Sequence, residues 1–272
     1  VPFPLSSPEE VVAAVRAALS PRTRLALLDH VTSPTGLVLP IARLVAELEG
    51  RGVAVLVDGA HALGMLPLAL DRLGASYYTA NAHKWLCAPK GAAILHARAD
   101  RQAGLRPLAI SHGATARRAD RSRFLAEFDW LGTDDPSPYL VLPECVAFLA
   151  GLLPGGLPAL QARNRALALE ARALLLGVLD APPPCPEEML GALAAVPLPP
   201  AGPASAAPGP LGLDGLQAVL SARGLEVPVF PWPAPPARVL RISAQAYNAP
   251  GDYALLASTL GELLAAERGG AP

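Results

Sequence analysis

The chain holds 22 Lys and Arg residues, and only Lys84 and Lys90 among them are lysines. A guanidinium stays protonated, whereas an amine can lose its proton and condense with an aldehyde as a Schiff base. A sequence that uses Arg almost everywhere else, yet keeps a Lys between His83 and Trp85 in NAHKWLCAPKG, marks Lys84 as a candidate imine-forming lysine. Asp58 closes the apolar run VAVLVD, 84 − 58 = 26 residues earlier. A carboxylate held against a heteroaromatic nitrogen keeps that nitrogen protonated. A lysine holding an aldehyde of the same ring then completes an electron sink for a carbanion.

The elements that must position this pair follow from pattern. Ser7, Pro8, Glu9 and Glu10 start a helix that carries Val11, Val12, Val15 and Leu19 on one face. RLALLDHV is a strand-length apolar run. A second helix from about Pro40 buries Ile41, Leu44, Val45 and Leu48 before stopping at Gly50, and it leads into the strand VAVLVD. Strand, helix and strand at this spacing predict a parallel crossover. A helix-like LPLALDRLG follows, then strands in SYYTANAHK and GAAILHA, so both chemical residues fall where strands end, the usual ligand position in such sheets. Residues 101–140 are rich in arginine and weakly periodic. The pattern is helical from Tyr139 to Leu179. Met189–Leu213 is uncharged but broken by Pro and Gly and reads as a loop or linker. Beyond it come a helix in GLDGLQAVLSARG, a strand in RVLRISAQAY and a closing helix. There is no internal repeat.

Composition narrows the partners. At 272 residues with 52% hydrophobic residues the chain can bury a sizeable core. A net charge of −1 with 17% charged residues offers no basic stripe for nucleic acid or an anionic membrane. Cys87, Cys145 and Cys185 are too scattered for a disulfide framework or a zinc site, which favours a reducing, cytoplasmic setting. The opening residues have no basic start and no apolar signal core, and the chain reads as a fragment of something longer.

SPTG, VDGAHALG and ANAHKWLCAPKG together resemble the class V aminotransferase family of fold type I enzymes dependent on pyridoxal 5'-phosphate (PLP), and within it the isopenicillin N epimerase-like proteins. The resemblance runs from about residue 24 to the C-terminus. It implies an α/β fold in which residues 1–138 are the later part of a large PLP-binding domain with a mixed, mostly parallel sheet. Residues 139–272 would form a small C-terminal α+β domain. It makes Lys84 the Schiff-base lysine and the acid/base at the substrate Cα, and Asp58 the partner of the pyridine nitrogen. His61 matches the place of a Gln or His that reaches the cofactor's phenolic oxygen, and Ser33 that of an Asn doing similar work. Asn81 and His83 match phosphate-holding positions, with Asn81 standing where a Ser is common. Thr133 resembles a threonine that crosses a dimer interface to the neighbour's phosphate, and Arg241 the arginine that clamps the substrate carboxylate. A homodimer with shared active sites follows, acting on a small-molecule amino-acid substrate. His30, His96 and His112 read as structural.

The reaction stays open among several. Return of the Cα proton is epimerisation, loss of a substituent is carbon-sulfur lyase chemistry, and protonation at the cofactor is transamination. The overall resemblance favours the epimerase-like reading. A persulfide-forming desulfurase is disfavoured, since no Cys lies between Pro186 and Arg241. A nucleotide-binding α/β protein lacks its glycine-rich loop. The family's phosphate loop and ring-stacking residue lie upstream of Val1, so the chain alone is expected to bind PLP weakly or not at all. A truncated, inactive interaction module is the reading from a different class.

Overall fold

The computed structural model describes residues 3–117, 119–201 and 214–269. Its contacts divide the chain into two units. One comprises Ser20–His30 and Ile41–Phe148, the other Val1–Leu19, Val31–Pro40 and Leu149–Pro272.

The first unit is built on four strands, β1 (Leu25–Asp29), β2 (Ala54–Asp58), β3 (Tyr77–Asn81) and β4 (Ala93–Ala97), hydrogen-bonded in that order. β1, β2 and β3 run parallel, and β4 returns antiparallel to β3. The expected crossover from β1 to β2 is made by a helix, Ile41–Gly50, that buries Ile41, Leu44, Val45 and Leu48. Each of these side chains contributes about 2 kcal/mol by burial. The exposed Arg51–Glu47 pair on the same segment is worth at most about 0.5 kcal/mol, so packing rather than charge seats the helix. Glu49 ties it to the sheet: Oε1 accepts from Val55 N at 3.0 Å, Ser76 N at 2.9 Å and Ser76 Oγ at 2.6 Å, while Oε2 meets Arg98 Nη2 at 3.1 Å.

Two expectations are corrected in detail. LPLALDRLG forms a single helical turn, Leu70–Leu73, because Pro67 precedes it and Gly74 at φ 73° stops it. The uncharged stretch Met189–Leu213 is not loop throughout. It contains β5 (Leu193–Leu198), nearly all buried, while its residues 202–213 lie outside the described residues. Small alanines carry little strand signal by themselves, and it is pairing with a neighbour that makes this segment a strand.

In the second unit β5 joins β6 (Val229–Pro231) and β7 (Arg238–Ser243) in an antiparallel sheet ordered β5-β7-β6. The long helix Gly156–Leu179 and the closing helix Pro250–Gly269 pack in this unit, and Asp214 caps the helix Gly215–Ala222 by accepting from Leu216 N at 2.8 Å. The antiparallel sheet with these helices gives the expected α+β arrangement. Arg238 is buried at the start of β7. Its guanidinium donates to Asp214 Oδ1 at 3.1 Å, Glu267 Oε2 at 2.5 Å and the Pro199 carbonyl at 3.0 Å. Removing the cation would strand two carboxylates. Arg238→Ala is therefore expected to lower the unfolding free energy by about 3 kcal/mol, read from urea denaturation.

Candidate active site

Register sets the strand ends level. Asp29 pairs with Asp58 and Asp58 with Thr79, so the C-terminal ends of β1, β2 and β3 meet along one edge. Alternation along a strand then places Asp29, Asp58 and Asn81 on one face. The last rungs of the parallel ladder close this edge. His30 N donates to the Asp58 carbonyl at 2.7 Å, and Gly59 N donates to the Thr79 carbonyl at 2.7 Å. Asp58 Oδ1 accepts from Ala60 N at 2.8 Å, which folds the VDGAH turn back on itself. Lys84 lies on the corresponding turn after β3, where Ala88 N donates to the Ala82 carbonyl at 3.1 Å and Cys87 takes a positive φ of 57°.

The turns bring the candidate side chains together. Lys84 Nζ lies 3.4 Å from His61 Nε2, and Trp85 Nε1 donates to His61 Nδ1 at 3.4 Å. Two glycines permit this approach. A Cβ at Gly59 would collide with the Tyr78 hydroxyl, and one at Gly64, itself at φ 87°, would lie 2.7 Å from the Trp85 carbonyl carbon. Burial and then the neighbouring Asp58 charge push the Asp29 carboxyl above its usual range, and Lys84 is near enough that a charged amine there would pull the other way. Asp29, Asp58 and Lys84 thus share one electrostatic neighbourhood. Beneath Gly59, His30 Nδ1 meets the Tyr78 hydroxyl at 2.9 Å, the rings standing edge to face. Tyr78 is completely buried, and burial raises its hydroxyl well above the ordinary tyrosine range.

The predicted site residues fall into two sets, one in each unit. Asp58, His61, Asn81, His83 and Lys84 gather at the strand ends of the first unit, with His83 exposed and the other four half-buried. Thr133 belongs to the same unit and is exposed on a bend. Ser33 and Arg241 belong to the second unit and are brought together there. Arg241 Nη1 donates to the Ser33 carbonyl at 2.5 Å and lies 3.3 Å from its hydroxyl, and the guanidinium carbon sits 5.2 Å from the Phe230 ring centre. Burial lowers the proton affinity of Arg241, and its Nε is buried without a hydrogen-bond partner. Such an orphan donor fits the edge of a planar carboxylate. His96 meets Asp71 at 3.3 Å on the surface. Sequence reasoning overlooked Trp85, Tyr78 and Asp29. The available signals were the glycine spacing in VDGAHALG and the matching acidic ends of LALLD and VAVLVD. Among the described residues no cluster of His, Cys, Asp and Glu could hold a metal, and no single helix is long and apolar enough to cross a membrane.

The same architecture occurs in solved structures. The cystine C-S lyase C-DES, in complex with its reaction product cysteine persulfide, aligns with a TM-score of 0.70 at 21% identity over 93% of this chain and 64% of that one. A cysteine desulfurase from Thermococcus onnurineus NA1 aligns at 0.67 with 18% identity over 88% of this chain and 60% of that one. The chain therefore has the fold type I architecture of PLP-dependent enzymes, with a mostly parallel sheet and a smaller α+β part. The sequence pattern of the family described as aminotransferase class-V matches residues 7–131. Isopenicillin N epimerase of Amycolatopsis lactamdurans is 39% identical over 96% of this chain and 65% of its own length. A probable chloroplastic L-cysteine desulfhydrase of Arabidopsis thaliana is 31% identical over 97% of this chain and 57% of its own. Over residues 7–131 the chain is thus similar to the class V aminotransferase family. It spans about two thirds or less of the length of these relatives.

The His30–Tyr78 contact also sets a pH dependence. Burial holds His30 neutral down to about 4, against an ordinary value of 6.5. A depressed value means that the contribution to stability is full above pH 6.5 and is lost as pH falls towards 4. His30→Asn, which keeps a polar atom near the Nδ1 position, is expected to flatten this part of the urea-midpoint profile. An unchanged profile would count against a buried neutral imidazole.

Proposed function

We propose that the chain is the catalytic part of a PLP-dependent enzyme of the isopenicillin N epimerase type, which removes and returns the Cα proton of an amino-acid substrate. The observation that carries this reading is the Lys84 amine, held against His61 beside the neighbouring strand end that bears Asp58. The residues fit the cofactor: a carboxylate for a ring nitrogen, an amine for an aldehyde, and an orphaned Arg241 Nε for a carboxylate. PLP supplies an aldehyde that an amine can capture and a protonated ring that draws electron density from Cα.

Around it, Asp58 keeps a proton on the ring nitrogen, and His61, with Ser33 by resemblance, orients the phenolic oxygen. Asn81 and His83 hold the phosphate. Lys84 carries the proton to and from Cα, and Arg241 fixes the substrate carboxylate in a planar fork. Thr133 reaches the phosphate of a second copy in a homodimer. The exposed apolar side chains of Trp130, Leu131, Leu140 and Phe148 in the same stretch support such a dimer. Residues 1–138 belong to the large cofactor domain and 139–272 to the small one, in a cytoplasmic protein.

Similarity to cysteine desulfhydrases at 31% identity over 97% of the chain favours carbon-sulfur lyase chemistry as the second reading, ahead of transamination. Incubation with excess PLP, borohydride reduction and peptide mapping test the assignment. Label is expected on Lys84 and lost in Lys84→Arg, with Lys90 as the internal control. Label on Lys90 alone contradicts the reading, and label on neither lysine turns it towards an inactive interaction module. In the enzyme, uptake of solvent deuterium at Cα with the carbon skeleton intact supports epimerisation. Release of sulfide from L-cysteine supports the lyase instead.

A further inference from the structure

The hydrogen bonds around His61 constrain the proton on Lys84. An indole nitrogen only donates, so the Trp85 contact at 3.4 Å makes His61 Nδ1 an acceptor. A neutral imidazole that accepts at Nδ1 carries its hydrogen on Nε2, and that hydrogen faces Lys84 Nζ at 3.4 Å. An ammonium has three donors and no lone pair and cannot accept it, whereas a neutral amine can. Were Lys84 to donate to Nε2 instead, the imidazole hydrogen would have to move to Nδ1, where it would oppose the Trp85 N–H. Both contacts are hydrogen bonds together only when Lys84 is uncharged.

We propose that Trp85 is a positioning residue: its indole N–H fixes His61 as the Nε2–H tautomer, and that hydrogen presents Lys84 as the free amine able to condense with an aldehyde. The significance for catalysis rests on the reading of Lys84 as the imine-forming lysine, but the hydrogen-bond logic does not. Trp85 is buried, 7% exposed, and Gly64 lies against its backbone, so the turn that carries the indole is held in place. The charges that oppose a neutral amine are Asp29 at the end of β1 and Asp58 at the end of β2. His83, adjacent in sequence, is exposed. With the indole N–H removed, His61 is free to place its hydrogen on Nδ1 and accept at Nε2, and the two carboxylates then favour the ammonium.

Two measurements on the 272-residue chain test this without any cofactor. Long-range proton–nitrogen NMR correlations on the imidazole rings are expected to show His61 as the Nε2–H tautomer. Competitive labelling with a trace of acetic anhydride compares Lys84 with Lys90, its only fellow lysine. Trp85→Phe is expected to lower the Lys84-to-Lys90 ratio about threefold near neutral pH and to move the Lys84 profile to higher pH. Benzothienylalanine at position 85 keeps the shape of the indole but lacks its N–H, and it is expected to give the same shift in a chain folded like the parent. A His61 found as the Nδ1–H tautomer or as imidazolium, or a ratio unchanged in the benzothienyl variant, overturns the proposal. Borohydride label on Lys84 with an unchanged ratio would keep the cofactor reading and remove the role of Trp85. The shift without any label would do the reverse.

Discussion

The parallel register of β1, β2 and β3 is the constraint on which the candidate site depends. It brings three strand ends level, and the last rungs of the ladder satisfy the Asp58 carbonyl and the Gly59 N–H, which a folded protein cannot leave unpaired. His30 N–H and the Thr79 carbonyl take them up, each at 2.7 Å. The Asp58 backbone is thereby fixed from both neighbouring strands, its carboxylate accepts from Ala60 N, and the turn that follows delivers His61 to the Lys84 amine. Underneath, the Tyr78 hydroxyl fills the space that any side chain at position 59 would need. The glycine is required by the packing on the far face of the sheet, while its effect is felt on the near face where the chemistry lies.

The sheet of the first unit was largely legible in the sequence, because its strands are apolar runs and its crossover helix has a clean buried face. Ile41, Leu44, Val45 and Leu48 were read from spacing and are the residues that are buried. β5 was not legible. GALAAVPL mixes three alanines and a glycine with a proline inside the run, and its strand character comes from pairing with β7 in a buried sheet. LPLALDRLG misled in the opposite direction, since its apolar spacing suits a helix but its Pro and Gly leave room for one turn.

For the candidate site, residue types were legible and contacts were not. Asp58 and Lys84 stand out by chemistry and by scarcity, and the structure finds both at strand ends of one sheet. Nothing in the sequence separates Trp85 from an ordinary core aromatic, and nothing marks Tyr78 apart from Tyr77. Their meaning lies in which atom of which histidine they meet. Asp29 shows the same limit, because an acid at the end of LALLD gains its significance only from a register that sets it beside Asp58.

The charges around Lys84 pull in two directions, and magnitudes show how both can serve one site. A carboxylate at about 4 Å favours a cation by about 1 kcal/mol in water and about 4 kcal/mol near a protein surface. Asp29 has an exposed surface yet is desolvated enough to shift its carboxyl upward, which places it between the two figures. A hydrogen bond is worth about 1 kcal/mol net, and a buried N–H without an acceptor costs about 1–3 kcal/mol. The imidazole N–H facing the half-buried amine therefore acts against the pull of Asp29 and Asp58 with a magnitude of the same order. The carboxylates still favour positive charge in their neighbourhood, and a ring nitrogen lying against Asp58 would receive it. On this balance the cation is best placed on the ring rather than on the amine. That arrangement is open to a lysine, which can give up its proton, and closed to an arginine, which cannot.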